Sequence, residues 1–185
     1  MIGNDIIDLK LASRSDRSLS PRFLNKICST KEIEEINNTL DPQLLVWKFW
    51  SLKEATYKAH QRRFNLKRKF NPASFHCSIS SKNNAVVQID EFQYNLNSEI
   101  TTDYIHSYVE SGYIDLGIYS GLKKSRHQII SRVGELLSIP PALIDIKKNE
   151  NYVPSLVLNR TDKTLPISLS HHGSFTAFLI PLIKS

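Results

Sequence analysis

Glu54 and Lys58 stand four residues apart in "FWSLKEATYKAH", residues 49–60. On a helix, at about 100° per residue, they share a face, and Trp47 and Trp50 lie one or two turns earlier on the side of Glu54. An unpaired carboxylate beside aromatic bulk is costly. Glu54 therefore needs a partner, which is either Lys58, in an ion pair worth about 0.2 to 0.5 kcal/mol, or a metal ion. Taken alone, the spacing favours the ion pair.

Asp5 lies within the apolar run "IGNDIIDL", residues 2–9, which is typical of a mostly buried strand. Alternation along a strand puts Asp5 on the face of Ile7 and Asp8 on the opposite face. A buried acid needs a cation or several hydrogen-bond donors. A salt bridge or a helix cap is favoured for Asp5 and a metal ion is the alternative, while Asp8 is expected to be solvated or to cap a helix.

Hydroxyl and imidazole groups gather in "SLSHHG", residues 168–173. Alternation predicts two faces, with Ile167, Leu169 and His171 on one and Ser168 and Ser170 on the other. The end of such a strand can offer donors to a phosphate. A hairpin end without chemistry is the alternative, and it is preferred for His172. A Ser-His-acid hydrolase is disfavoured because no G-x-S-x-G motif is present.

Helices are predicted for the first third of the chain. Pro21 can begin a short helix, and Ser29 with Glu32 has the spacing of a capping box for a second helix. Asp41 and Pro42 then begin the longest helix, to about residue 63. The expected apolar residues are Ile33, Ile36 and Leu40 on the second helix and Leu45, Phe49, Leu52, Thr56 and Ala59 on the long one.

Short β-prone runs follow between residues 71 and 119, namely "SFHCSIS", "AVVQIDEFQY", "YIHSYV" and "YIDLGIY". A further helix is predicted over residues 125–139, before Pro140 and Pro141. Two strands around a His-Gly-Ser turn are expected in the tail. The pattern predicts an α+β fold in which an antiparallel sheet packs against a long helix.

A chain of 185 residues with 41% apolar residues suits a single domain, 1–185, or two lobes divided near residues 120–126, as 1–122 and 123–185. No apolar run is long enough to span a membrane and no signal peptide is recognised, so we expect a cytoplasmic protein without membrane association. Cys28 and Cys77 belong to no CxxC motif or Cys/His cluster, and neither a disulfide nor a zinc site is indicated.

The formal net charge of +6 favours polyanionic or acidic partners. A nucleic-acid-binding module is one alternative, since "HQRRFNLKRKF", residues 60–70, interleaves basic and aromatic residues. No recognised nucleic-acid motif accompanies this stretch, which a solvated helix end or a docking surface for an acidic protein explains equally well. Nucleic acid is therefore not an expected partner.

The order of four segments, "GNDIIDL", "RFLNKICSTKEIEEI", "WSLKEATYK" and "ISLSHHGSFTAFLI", resembles the 4'-phosphopantetheinyl transferase superfamily. Within it, the chain most resembles the holo-acyl-carrier-protein synthase type. The segments cover roughly a third of the chain, and their combination and order are more specific than any one of them.

The resemblance implies transfer of 4'-phosphopantetheine from coenzyme A to a serine hydroxyl of an acidic acyl or peptidyl carrier protein, releasing adenosine 3',5'-bisphosphate. By motif position, Asp5 and Glu54 would bind Mg²⁺, with Mn²⁺ as the alternative. Lys58 would contact the phosphates and act in catalysis with Glu54. The candidate acceptor of the serine proton is Glu54 or a metal-bound water that it holds. Ser170 and His171 would bind coenzyme A, and Lys53 would supply charge.

Some features depart from the family pattern. "KAHQRR" replaces the usual Ala-Leu-Gly continuation, and Ile7 stands where surfactin-type relatives have a second acid, which favours a two-carboxylate metal site. Residues 123–185 resemble the first lobe of the surfactin type, so a monomer with two pseudo-symmetric lobes and an oligomer both stay open. Fatty acid biosynthesis is the expected pathway, with polyketide or peptide synthesis as alternatives. The alternative function is a non-catalytic relative that binds coenzyme A or a carrier.

Overall fold

A computed structural model describes residues 1–14, 18–112, 114–121, 125–159, 161 and 163–181. The helices in these ranges are α1 (Leu9–Ala12), α2 (Pro21–Ile27), α3 (Thr30–Asn37), α4 (Pro42–Phe64) and α5 (Ser125–Leu137), with 3-10 turns at Pro72–Ser74 and Pro141–Leu143. The strands are β1 (Asn4–Asp8), β2 (His76–Ile79), β3 (Asn84–Ile89), β4 (Phe92–Ile100), β5 (Tyr104–Val109), β6 (Ile114–Ser120), β7 (Ile144–Lys148), β8 (Pro154–Leu158), β9 (Lys163–Pro166), β10 (Ser168–His172) and β11 (Phe175–Pro181). None of the described helices is long and apolar enough to cross a membrane.

The N-terminal part is an antiparallel sheet in the order β1-β5-β4-β3-β2, and the 23-residue helix α4 packs on it. The predicted stripe of α4 is confirmed, because Phe49, Leu52, Thr56 and Ala59 are fully buried and Leu45 packs against the same core. Strand β1 is buried along its whole length, as its apolar composition predicts. The α+β class predicted from the sequence is therefore confirmed.

Gly3 allows the start of β1 to lie directly on α4. A Cβ atom at this position would stand 2.1 Å from the Ala55 carbonyl oxygen and 2.6 Å from the Ala59 nitrogen, both of which are rigid helix backbone. Any side chain here would push the strand away from the helix. The close approach brings Asp5, two residues later, within reach of the side chains of α4.

The predicted helix starts are confirmed. Asp41 caps α4 by accepting a hydrogen bond from the Leu44 N–H, and Ser29 and Glu32 form the capping box of α3. The prediction that Leu40 lies on the apolar face is wrong, because this residue is fully exposed. Helix α3 ends at Asn37, so the helical spacing no longer applies at Leu40.

The β-prone run "AVVQIDEFQY" contains parts of two strands, β3 and β4. Asp90 adopts a positive φ of 49° in the turn between them. Aspartate tolerates this left-handed conformation better than most residues, and it allows the chain to reverse within two residues. The run is therefore a hairpin.

The C-terminal part contains two three-stranded antiparallel sheets, in the orders β10-β11-β6 and β7-β8-β9, and helix α5 packs on a common core with them. The predicted strand pair around the His-Gly-Ser turn is confirmed as β10 and β11. Strand β6 pairs with β11, although it precedes the division expected at residues 120–126. The division of the chain into lobes stays a prediction.

The two parts meet where β1 lies beside β10. The N–H groups of Asn4, Ile6 and Asp8 donate to the Ser168 hydroxyl (3.0 Å), the Ser170 hydroxyl (3.0 Å) and His172 Nδ1 (2.9 Å). Alternate side chains of β10 thus take the acceptor role that a neighbouring strand backbone would have. This contact brings together the stretch "IGNDIIDL" and the stretch "SLSHHG".

Candidate active site

Asp5, Glu54 and Lys58 converge where β1 crosses α4. Lys58 Nζ donates to Asp5 Oδ1 at 3.0 Å and to the Asn4 carbonyl oxygen at 2.9 Å. The same nitrogen lies 3.2 Å from Glu54 Oε2, so the predicted ion pair is present. Asp5 joins this pair from another element, and the two carboxylates share one cation.

Asp5 is only 4% exposed, and its two oxygens have different surroundings. Oδ1 accepts from Lys58 and, at 2.7 Å, from the Ser170 hydroxyl. Oδ2 is buried and has no partner among the described residues. Burial raises the pKa of Asp5 to about 6. The negative charge of Glu54 also raises this pKa, whereas the positive charge of Lys58 lowers it. An unpaired, buried carboxylate oxygen is a position where a further cation would be stabilised.

Lys58 remains a cation in this setting. Burial alone would lower its pKa, but the neighbouring carboxylates of Asp5 and Glu54 raise it above the ordinary value. Its side chain is 25% exposed, as is that of Glu54, so both can meet a ligand from solvent. Asp5 lies deeper, behind them.

A cleft of about 400 Å³ opens beside Glu54 and Lys58. The exposed side of α4 forms one wall, and residues 148–154 and the start of β10 form the other. Its basic lining residues are Lys58, Arg62, Arg68 and Lys148, and Glu54 is the one acid among its lining residues. Such a concentration of positive charge attracts a polyanionic ligand.

Ser170 and His171 both line a second cleft, also of about 400 Å³, on the C-terminal sheet. Arg126 contributes a cation there, and Lys148 lines both clefts. Ser170 links this region to Asp5 through its hydroxyl, whereas His171 Nδ1 lies 3.1 Å from the Thr176 hydroxyl. Of the two predicted cofactor-binding residues, the fold brings Ser170 into contact with Asp5, whereas the described bond of His171 is to Thr176.

Lys53 lies elsewhere, and its expected role as a charge supplier is wrong. Its side chain is fully buried, donating to Glu32 Oε2 at 2.7 Å and to the Ile27 carbonyl oxygen at 2.6 Å. One residue on a helix is a rotation of about 100°, which is enough to move Lys53 from the cleft face into the core. It is a structural residue.

Asp8 caps a helix, as expected, but it is buried rather than solvated. It accepts from the Leu11 N–H, at the start of α1, and from the Ser174 N–H of the β10–β11 turn. Burial would raise the pKa of Asp8, but these backbone hydrogen bonds outweigh it and lower the pKa. His172 is likewise bonded to β1 backbone, in keeping with a structural role.

Among the other residues that line the first cleft, Arg62 lies in the basic stretch of residues 60–70, whereas Lys148 and Tyr152 lie in no stretch to which the sequence pointed. Arg62 continues the four-residue spacing of Glu54 and Lys58, so helical periodicity could have found it. Lys148 is the last residue of β7 and Tyr152 lies between β7 and β8. Neither strand was predicted, and the sequence offers no local signal that these residues approach α4.

Metal binding requires more oxygen atoms than this site provides alone. Among the residues described, no three or more His, Cys, Asp or Glu side chains gather into a possible metal cluster. Asp5 and Glu54 supply two carboxylates. Mg²⁺ commonly takes one or two carboxylates and completes its shell with substrate phosphates and water. The donor set and the unpaired Asp5 oxygen fit such an ion.

Residues 1–109 match the family model of the 4'-phosphopantetheinyl transferase superfamily. The match spans more than half of the chain, and the chain therefore belongs to this superfamily. The matched segment contains Asp5, Glu54 and Lys58 and ends before β6. The family uses coenzyme A as a substrate, generally with a divalent metal ion, and acts on carrier proteins. Comparison with curated proteins gives no match.

Proposed function

We propose that this protein transfers 4'-phosphopantetheine from coenzyme A to a serine hydroxyl of an apo acyl or peptidyl carrier protein, releasing adenosine 3',5'-bisphosphate. It acts as a holo-acyl-carrier-protein synthase-like enzyme. The observation that supports this most strongly is the convergence of Asp5, Glu54 and Lys58, through contacts of 3.0 and 3.2 Å, at a cleft rich in basic residues.

Asp5 and Glu54 are the proposed ligands of a divalent cation, with Mg²⁺ preferred over Mn²⁺. The support is the unpaired Asp5 oxygen and the capacity of both acids to share one cation, as they share Lys58. The chemistry that such an ion would supply is neutralisation of charge on the pyrophosphate of coenzyme A. Two carboxylates are sufficient protein ligands for this ion.

Lys58 contributes a fixed positive charge. Its ammonium group is held by Asp5, Glu54 and the Asn4 carbonyl oxygen, and its raised pKa keeps it protonated at neutral pH. In phosphoryl transfer, catalysis rests mainly on positioning and on stabilising the charge of the leaving and transferring groups. Lys58 therefore contacts the phosphates in the proposed reaction.

Glu54 is the proposed acceptor of the serine proton. Its carboxylate borders the cleft and is 25% exposed, whereas Asp5 is buried behind it. A general base must lie within hydrogen-bond reach of the proton that it removes. Only the more exposed of the two acids meets that requirement for a hydroxyl arriving from a second protein.

Ser170 and His171 are the proposed coenzyme A contacts from the C-terminal sheet. Both line the second cleft, and Lys148 connects that cleft to the one beside Glu54. Lys148, Arg126 and the other cleft cations suit a ligand with several phosphate groups. The formal net charge of +6 also favours encounter with an acidic carrier.

A mass measurement tests the proposed reaction. The protein is incubated with coenzyme A, Mg²⁺ and apo carrier proteins from fatty acid, polyketide and peptide synthesis, and each carrier is weighed. We expect one carrier class to gain a single phosphopantetheine group and to lose this gain when Mg²⁺ is chelated. Absence of a mass gain on every carrier would contradict the proposal.

A further inference from the structure

Arg62 connects helix α4 to the strands that form the opposite wall of the cleft. Its Nη2 donates to the Pro154 carbonyl oxygen of β8 at 2.8 Å and to the Ile167 carbonyl oxygen at 2.6 Å. Ile167 immediately precedes β10, whose Ser168 and Ser170 bond to β1. A single side chain thus joins the element carrying Glu54 and Lys58 to the strand that contacts Asp5.

No acid compensates the charge of Arg62 among the described residues. Its Nε is buried without a partner in the described part of the chain, and burial lowers the pKa of the guanidinium to about 10. Removing a cation from water without a counter-ion is costly, so this arrangement is a poor way to gain stability. The guanidinium instead offers a rigid, planar fork that can reach carbonyl oxygens on two separate segments.

Neighbouring contacts hold the same end of α4 to the loop after β7. Gln61 Nε2 donates to the Asn151 carbonyl oxygen at 2.9 Å, and Asn151 Nδ2 donates to the Asn65 carbonyl oxygen at 2.9 Å. These contacts reach only residues 149–151. Arg62 is therefore the described residue of this group that reaches the start of β10.

We propose that Arg62 is a positioning residue that fixes the wall formed by residues 148–154 and the start of β10 relative to α4. By setting the width of the cleft, it aligns the contact between Ser170 and Asp5 with the Glu54–Lys58 pair. The expected effect of Arg62 on coenzyme A binding rests on the proposed function. Its expected effect on the mobility of the wall in the ligand-free protein does not.

Hydrogen exchange of the ligand-free full chain provides the test, with Arg62→Gln compared to Arg63→Gln. Arg63 is the next residue and loses the same charge, but it is exposed and lies over the rings of Phe64 and Phe92. The informative amides are those of residues 151–153, bonded to Asn149, and those of Asn4 and Ile6, bonded to β10. We expect Arg62→Gln to speed their exchange about tenfold and Arg63→Gln to leave it unchanged.

Kinetics separate positioning from a general loss of stability. With Arg62→Gln we expect the KM for coenzyme A to rise about tenfold while kcat changes less, because ligand binding must then align the two walls. Arg62→Lys, which keeps the charge and can donate to one of the carbonyl groups, is expected to recover most of the affinity. A fall in kcat at constant KM would indicate loss of folded enzyme and would contradict positioning.

Exchange in Arg62→Gln equal to that of the wild type would overturn the inference, even if transfer were lost. If Arg62→Gln does not fold, Arg62→Lys is measured instead. Its exchange at the same amides is expected to exceed the wild-type rate by a smaller factor, and identity with wild type would overturn the inference. A wild-type protein that loads no carrier would contradict the proposed function but not the exchange result.

Discussion

Lys58 is held between two acids that would otherwise repel each other. Asp5 and Glu54 lie on different elements, and the ammonium group bonds to both. In the absence of that cation, the buried Asp5 has the Ser170 hydroxyl as its remaining side-chain donor among the described residues. The lysine is therefore both part of the proposed chemistry and a support for the metal-free site.

Replacing Lys58 with Met tests this double role. We expect the free energy of unfolding to fall by about 2 kcal/mol without Mg²⁺, because two carboxylates are left close together without a counter-ion. Added Mg²⁺ should restore more stability to the variant than to the wild type, as followed by denaturant unfolding. Lys10→Met, on an exposed side chain, is the matched control. If Mg²⁺ does not change the free energy of unfolding of Lys58→Met, metal binding by the two acids is contradicted.

His106 is fully buried next to Asn4, with its Nε2 at 3.1 Å from the Asn4 amide. Burial, with the nearby charge of Lys58, lowers the pKa of His106 to about 4. Between about pH 6.5 and 4 the unfolded chain therefore binds a proton that the folded protein does not. Stability is lost as the pH falls through this interval, by up to about 3 kcal/mol for this one group.

His106→Gln should remove the loss of stability that His106 causes at low pH, while keeping a polar partner for Asn4. The raised pKa of Asp5 acts in the opposite direction over an overlapping interval, since its folded form takes up a proton more readily. The measurement is therefore the stability difference between variant and wild type, from denaturant unfolding between pH 7 and pH 4. We expect the variant to gain relative stability as the pH falls, and a constant difference would show that His106 titrates normally. Exposed His76→Gln is the control.

At the scale of elements, Glu32 and Lys53 tie three segments together inside the core. Glu32 caps α3, pairs with Lys53 of α4 and accepts from the Cys77 N–H of β2 at 2.8 Å. Both charged side chains are almost completely buried. The pair therefore fixes how α4, and with it Glu54 and Lys58, lies on the sheet.

Lys53→Met should destabilise the fold by about 3 to 5 kcal/mol, because it leaves the buried Glu32 carboxylate without its cation. Since Lys53 does not reach the cleft, transfer per folded molecule should change less than about threefold on the kcat/KM scale. Lys26→Met, on an exposed side chain, controls for the loss of charge. If the variant had normal stability but a large loss of transfer activity, Lys53 would have a role in the active site and this account would be contradicted.

The elements that were predictable from sequence are those with local signals. Asp41 and Ser29 mark helix starts by their own side chains, and the stripe of α4 follows from its spacing. Strands β7 to β9 were not predicted, because they have only four or five residues each and depend on pairing with one another. The prediction that Leu40 belongs to the apolar face was wrong because the helical spacing was extended past Asn37, where α3 ends.

At the scale of the whole molecule, the junction of β1 with β10 lay beyond sequence reasoning. The hydroxyl groups of Ser168 and Ser170 bond to N–H groups 164 residues away, and no local pattern encodes that distance. The site residues were found through their order along the chain, which reflects family resemblance. The wall formed by residues 148–154, with the cation of Lys148, was not predicted because it carries neither a local pattern nor a family motif.

Net charge gives a prediction for the whole protein. A formal charge of +6 and the cations of both clefts should make binding of coenzyme A and of an acidic carrier weaker at higher salt. Raising the ionic strength from about 0.05 M to about 0.5 M shortens the screening length severalfold. We expect both KM values to rise more than kcat falls, and KM values independent of salt would contradict electrostatic capture.

The most direct test of the central claim is the rate of phosphopantetheine addition to an apo carrier by wild type, Glu54→Gln and Glu34→Gln, followed by mass. Glu34 is an exposed acid on α3 and controls for the loss of one negative charge. We predict that Glu34→Gln matches the wild type, whereas Glu54→Gln is slower by about 10²-fold or more with its folding intact. Equal rates for all three proteins would contradict a transfer site built on Asp5, Glu54 and Lys58.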